Sequence, residues 1–236
     1  MRKNVLWRTA VATLLAGGVV AVAGWVVFLS PVLGVREVAV IGNQRLPAEQ
    51  IRHAAAVPPD TPLVGVDTDA VRARVAALRA VESVTVDREW PGTLLISVVE
   101  RMPLVAVPIN GRTTVVDRFG VVLDLVDAAD TADPAGAVDP VTLRLPELKT
   151  NRFDPADPGI KAALAVLASL PESISRRVRQ VSAASAETVT LTLADGRTVV
   201  WGGPERTGDK ARILTTLLRE NAMTFDVSSP DVVTVK

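Results

Sequence analysis

Between Thr9 and Val35 the chain runs for 27 residues without a charged side chain. A helix needs about 20 mainly apolar residues to cross a bilayer, and a charge at mid-helix costs about 2.5 to 3.5 kcal/mol on the insertion scale. Leu14, Leu15, Val19, Val20, Val22, Trp25, Val26, Val27, Phe28 and Leu29 lie in this stretch, which predicts one membrane helix over residues 9–34. Trp7 and Trp25 fall near the levels where interfacial rings sit. Arg2, Lys3 and Arg8 come before the span, so the positive-inside rule keeps residues 1–8 in the cytoplasm and sends the remainder across. Ala21-Val22-Ala23 has the spacing of a signal-peptide cleavage site, yet Trp25 to Leu29 carry the apolar run past it, which favours a retained anchor.

About two hundred residues remain beyond the span, enough for one large or two small domains. With 48% hydrophobic and 22% charged residues the chain has the composition of a folded body. It contains no cysteine, which excludes disulfides, thiolate metal sites and cysteine nucleophiles. Setting aside the three basic residues before the span leaves 23 basic against 26 acidic, a balance that disfavours nucleic acid as a partner.

In residues 35–102, Val38 and Val40 alternate with Glu37, Ala39 and Ile41 as in a strand, and Gly42-Asn43 closes it with turn chemistry. Pro47 suits the first position of a helix carrying Ile51, Ala54 and Ala55 at helical spacing, and Val57-Pro58-Pro59 stops it. Asp67-Thr68-Asp69 caps a second helix whose Val71, Val75 and Leu78 share a face. Strands follow at Val81 to Arg88 and Thr93 to Glu100, joined through Trp90-Pro91-Gly92. The predicted order is β-α-α-β-β.

Residues 103–236 read as a mainly antiparallel β domain with two helices, so the fold class is α+β. Leu104 to Ile109, Thr113 to Asp117 and Val121 to Val126 are short strands separated by Asn110-Gly111 and Phe119-Gly120. Ala128 to Pro140 has no period and reads as a loop, with a further strand at Leu143 to Leu148. Asp157-Pro158 starts a helix with Ile160, Ala163, Leu164 and Leu167 at helical spacing, ended by Pro171. Strands at Arg177 to Ser182 and Thr188 to Leu193 precede the Asp195-Gly196 turn, and Arg197 to Trp201 returns. Lys210 to Glu220 is a last helix with Ile213, Leu214, Leu217 and Leu218 inward, followed by extended pieces at Thr224 to Ser228 and Asp231 to Lys236.

The run from Arg88 to Pro103, REWPGTLLISVVERMP, with Val38-Ala39-Val40-Ile41-Gly42-Asn43 upstream, resembles the POTRA domain of the bacterial cell-division family FtsQ/DivIB. Val115 to Val122, Leu145-Pro146-Glu147-Leu148 and Leu191 to Arg197 resemble the family's β domain. The resemblance implies a non-enzymatic divisome scaffold. It would be held by one helix with its body outside the cytoplasm at the septum, binding FtsB, FtsL and septal wall-synthesis proteins. It also implies that Phe225, Asp226, Val227, Ser228 and Ser229, with Lys210 on the preceding helix, form the FtsB-docking edge. Strand addition suits such a protein, because a sheet edge presents unpaired N–H and C=O groups at regular spacing. Proline at Val227 is expected to remove one main-chain donor there.

No catalytic constellation is legible. The sole histidine is His53 on the first POTRA helix, a position suited to surface or packing. Asp127, Asp130, Asp133 and Asp139 share a region without EF-hand spacing or a closing bidentate glutamate, which reads as a solvated face. Gly202-Gly203 lacks the lysine of a phosphate loop. No cofactor, metal or small-molecule substrate is expected. Two other classes remain: a membrane-anchored enzyme acting on cell wall, opposed by the missing acid-base pair, and a POTRA-bearing transport component, which is expected to carry repeated POTRA units or a barrel.

Overall fold

A computed structural model describes residues 12–20, 33–109, 112–127 and 145–235. Residues 12–20 form helix α1, exposed throughout. Among the described residues no helix is long and apolar enough to cross a membrane. Most of the predicted span, Ala21-Val22-Ala23 and the predicted loop from Ala128 to Pro140 lie outside the described residues. The chain divides into two compact units, Met1–Glu100 and Arg101–Lys236.

In the first unit, β1 (Glu37–Ile41) leads through α2 (Ala48–Ala55), a 3-10 turn (Leu63–Gly65) and α3 (Thr68–Ala76) to the hairpin β2 (Val81–Glu89) and β3 (Thr93–Glu100). The sheet order is β1-β3-β2, with β1 parallel to β3 and β2 antiparallel to it. Alternation in β3 sends Leu94, Ile96 and Val98 inward, where they meet Ile51, Ala55, Leu63, Val71 and Val75 in one core. Asp67 Oδ1 accepts the backbone N–H groups of Asp69 and Ala70, satisfying two donors at the start of α3. Pro47 stands one position before α2 and makes no side-chain cap.

Arg74, Arg88 and Arg52 close backbone acceptors that periodicity leaves unassigned. Arg74 on α3 donates through Nε and Nη2 to Ala55 O, at 2.9 and 2.6 Å, covering a carbonyl at the end of α2. Arg88 on β2 donates to Leu63 O and Val66 O. Arg52 on α2 donates to Val38 O of β1.

At the end of β3, the Glu100 carboxylate accepts backbone N–H bonds from Gln44 (2.7 Å), Arg45 (3.0 Å) and Leu46 (2.8 Å). Burial pushes this carboxyl up, but the N–H groups of Leu46, Gln44 and Arg45 and the Arg45 guanidinium outweigh it. Glu100 therefore sits below the ordinary glutamate value of 4.5. A folded-state value below the unfolded one adds stability that is complete above the unfolded value and is lost as pH falls through the folded one. Stability of the unit is expected to drop on acidification below about pH 4.5, and Glu100→Gln to flatten that limb. Urea midpoints of the two proteins at pH 7 and in acid check this, and an unchanged acid limb in the variant would refute the role given to Glu100.

In the second unit, β4 (Pro103–Ile109), β5 (Arg112–Asp117) and β6 (Val122–Asp127) form a meander. β7 (Glu147–Leu148) lies between β4 and β8 (Val178–Ala183), parallel to both. β8, β9 (Val189–Leu193) and β10 (Thr198–Gly202) are antiparallel neighbours. β11 (Thr224–Asp226) pairs parallel to β10, and β12 (Thr234–Val235) pairs antiparallel to β11. The sheet order is β12-β11-β10-β9-β8-β7-β4-β5-β6. It is mainly antiparallel as expected, with three parallel joints that need crossovers through helices or long segments.

Among the described residues three helices accompany this sheet where two were expected: α4 (Pro158–Ser169), the single turn α5 (Glu172–Ser175) and α6 (Thr207–Leu217). Asp157 caps α4 by accepting Ile160 N–H, with Pro158 in the first turn. Ile160, Ala163, Leu164 and Leu167 join Val105, Val116, Val181, Leu191, Trp201 and Phe225 in the core. α6 begins three residues before the expected Lys210. Its buried face is Lys210, Ala211 and Leu214, whereas Ile213, Leu217 and Leu218 are half-buried.

Candidate partner-docking edge

The C-terminal end of the large sheet is built from β10, α6, β11 and β12. α6 returns the chain so that β11 can lie parallel to β10, pairing Val199 with Phe225 and Val200 with Asp226. The inward faces are apolar. Phe225 and Val227 are fully buried, as alternation at i and i+2 requires when one face of a strand covers a core. The Arg197 guanidinium lies 5.6 Å from the Phe225 ring centroid. Its Nε donates to Asp195 Oδ2 and its Nη1 to Leu218 O.

The segment after β11 is held by local bonds. Val227 N–H donates to Val200 O at 3.0 Å, extending the β10 pairing. Asp226 Oδ1 accepts both the N–H (3.0 Å) and the Oγ–H (2.7 Å) of Ser228. Gly202, at φ +74°, lets Ser228 come close: a Cβ built on it would lie 2.9 Å from Ser228 Cβ. Arg206, which precedes α6, donates to Asp231 through Nη1 (2.8 Å) and Nη2 (3.3 Å), joining the helix start to the β11–β12 turn. Each partner favours the charged state of the other, so Arg206 is raised and Asp231 lowered from their ordinary values.

The six residues expected at the docking edge meet different fates. Phe225 and Asp226 end β11, Val227 continues its pairing with β10, and Ser228 and Ser229 form a bend where an extended piece through Ser228 was expected. Phe225 and Val227 turn inward, Asp226 is half-buried and bonded to Ser228, and Ser228 and Ser229 are exposed. Lys210 is 3% exposed, and its Nζ donates to Gly203 O at 2.9 Å. Burial pushes its ammonium value down. Its role in this structure is to close a carbonyl of the Gly202-Gly203 corner. Proline at Val227 would break the bond to Val200 and disturb a buried position, so it would act on the fold as well as on any partner.

β11 is also not the outermost strand. β12 covers it, pairing Val235 with Phe225 and Thr234 with Asp226. Thr234 and Val235 are exposed, and Val232 and Met223 are among the exposed large apolar side chains. The sequence predicts an extended piece from Asp231 to Lys236; among the described residues the strand is Thr234–Val235, after a turn at 230–231, and its place on the outside of the sheet has no signal in the sequence. The available signal was the alternation of Phe225 with Val227, which marks β11 as a strand with a core face.

Elsewhere, His53 is exposed on α2. Among the described residues no group of three or more histidines and carboxylates could hold a metal ion. Asp127 ends β6, and Asp130, Asp133 and Asp139 lie outside the described residues.

Residues 33–101 match the sequence family described as POTRA domain, FtsQ-type, and residues 106–233 match that described as Cell division protein FtsQ/DivIB, C-terminal. The cell division protein FtsQ of Mycolicibacterium smegmatis is 41% identical over 99% of this chain and 65% of its own length. The protein of the same name from Mycobacterium tuberculosis is 39% identical over 94% of this chain and 68% of its own length. That from Streptomyces venezuelae is 39% identical over 97% of this chain and 82% of its own length. The chain thus spans about two thirds of the mycobacterial relatives.

Proposed function

This chain belongs to the FtsQ/DivIB family of bacterial cell-division proteins, and we propose that it is a non-enzymatic scaffold of the divisome, gathering FtsB, FtsL and septal wall-synthesis proteins outside the cytoplasm. Residues 1–8 form a cytoplasmic tail and residues 9–34 a single membrane anchor. The charge-free run and the basic residues before it support this arrangement. A POTRA domain over 35–102 and a β domain over 103–236 make up the body, which the anchor holds at the septal membrane.

FtsB docks by strand addition at the C-terminal end of the large sheet. The observation that carries this reading is the sheet order, which ends on the short exposed strand β12 beside β11. A partner segment adding there gains main-chain hydrogen bonds, each worth about 0.5 to 1.5 kcal/mol net. The main chain of Phe225 to Ser229 backs this edge, with Ser228 and Ser229 as its exposed side chains. Lys210 supports it from behind through the Gly203 carbonyl.

The test replaces Thr234 and Val235 together by proline in the full chain. Both side chains are exposed, so the fold is expected to survive, while co-purification of FtsB from membranes falls roughly tenfold. Full recovery of FtsB with a folded variant would disprove docking at this edge. Depletion of the protein is expected to give filaments without septa, and normal septation on depletion would disprove the divisome role.

A further inference from the structure

Arg177 and Arg219 stand apart from most arginines of the second unit. Arg197, Arg206, Arg212, Arg176 and Arg101 each pair with a carboxylate. The Arg177 and Arg219 guanidiniums form no hydrogen bond or ion pair with any described residue. Both line one cavity of about 360 Å³, together with Ser173, Ile174, Thr215 and Leu218.

The fold places these groups together. Pro171 ends α4 and opens the single turn α5, which leads directly into β8, so Ser173, Ile174 and Arg177 follow within one bend. Across from them Thr215 in the last turn of α6, with Leu218 and Arg219 in the turn that follows the helix, completes the lining. Ile174 is buried and Leu218 half-buried, forming an apolar floor. Competing groups are occupied: Glu172 pairs with Arg176, and Leu218 O accepts Arg197 Nη1. Thr215 Oγ1 donates to Ala211 O, leaving its lone pairs as acceptors.

We propose that this cavity docks an acidic peptide segment of a protein partner, with Arg177 and Arg219 holding a carboxylate and Ile174 and Leu218 receiving an adjacent apolar side chain. Guanidinium forks match carboxylate oxygens and form charge-assisted bonds. A bare phosphate would match the forks equally well, but it would leave the apolar floor and most of the volume unused. A peptide alternating acidic and apolar residues fills both. None of these residues belongs to β11 or β12, so the site stands or falls independently of strand addition.

The full chain is held in phosphatidylcholine nanodiscs, and fluorescence anisotropy follows a dye-labelled peptide alternating glutamate with leucine. Saturable binding is expected. It weakens roughly tenfold or more in Arg177→Gln with Arg219→Gln, and equally when glutamine replaces the peptide's glutamates. Arg212→Gln, whose guanidinium pairs with Asp209 away from the cavity lining, leaves binding unchanged. If the double variant unfolds, Arg219→Gln alone is read, with a smaller loss in the same direction. Equal affinity in wild type and variant, or no saturable peptide binding, overturns the proposal. So does a response to inorganic phosphate or phosphatidylglycerol vesicles in place of the peptide.

Discussion

Asp117→Ala is expected to destabilise the second unit by about 3 to 5 kcal/mol, the usual cost of removing one partner of a buried ion pair. The Asp117 carboxylate is fully buried, and Arg101 Nη1 donates to its Oδ2 at 2.7 Å, with the Arg101 side chain 18% exposed. Its Oδ1 accepts Phe119 N–H at 2.9 Å and Val121 N–H at 2.7 Å, which shapes the turn between β5 and β6. Alanine removes the acceptor for all three donors, and no rotation of a small apolar side chain replaces it. Domains of this size have only about 5 to 15 kcal/mol of total stability, so the loss takes a large share of it. Asparagine keeps the shape and one acceptor oxygen, so a smaller loss is expected for Asp117→Asn. Urea unfolding of the three proteins checks the order. Arg101→Met combined with Asp117→Ala measures the coupling, because removing both charges leaves neither unpaired. A loss below about 1 kcal/mol for Asp117→Ala would show that the buried carboxylate is not what holds the turn.

Legibility from sequence followed the range of the interactions. The hairpin Val81 to Glu100 was readable because Val84, Val86, Leu94, Ile96 and Val98 alternate and Trp90-Pro91-Gly92 marks the corner. α4 was readable because cap, proline and four apolar residues agree on one start. The single turn α5 was not, since four residues cannot show a 3.6-residue period. The start of α6 was missed for a different reason. Its preceding residue, Arg206, takes a left-handed conformation at φ 52° and offers no side-chain cap, so no start signal exists at Thr207. β7 has two residues and exists as a strand because β4 and β8 flank it, a relation between segments far apart in sequence.

The candidate site divides along the same line. Local pattern identified the extended C-terminal segment, but the order of strands across the sheet decides which segment lies outermost, and that order comes from tertiary pairing. The crossover through α6 makes β11 parallel to β10, and the turn held by Arg206 and Asp231 folds β12 back over it. Lys210 illustrates the limit most clearly. A lysine opening a helix reads as a surface charge, and only the Gly203 carbonyl behind it explains why it is buried.

Gly42→Ala is expected to do to the first unit what loss of Asp117 does to the second. Gly42 follows β1 at φ +84°, where a side chain costs about 1 to 3 kcal/mol in backbone strain. Space adds to the penalty, because a Cβ there would lie 2.1 Å from Val98 O. That oxygen belongs to the backbone of β3, which β1 pairs alongside from Glu37↔Thr93 to Ile41↔Ser97. Moving it disrupts the parallel pairing. Moving the following loop instead pulls Gln44, Arg45 and Leu46 away from Glu100. Relief by either route breaks hydrogen bonds, so a total loss of about 2 to 6 kcal/mol is expected. Hydrogen exchange reads the outcome by segment: protection of residues 37–41 and 93–100 should fall, while that of 189–193 and 198–202 persists, because each unit has its own core. Unchanged protection in β1 would mean that the corner can relax without cost. On the proposed docking at β12, Gly42→Ala should leave FtsB capture intact, while prolines at Thr234 and Val235 lower it roughly tenfold in a chain whose POTRA unit is untouched.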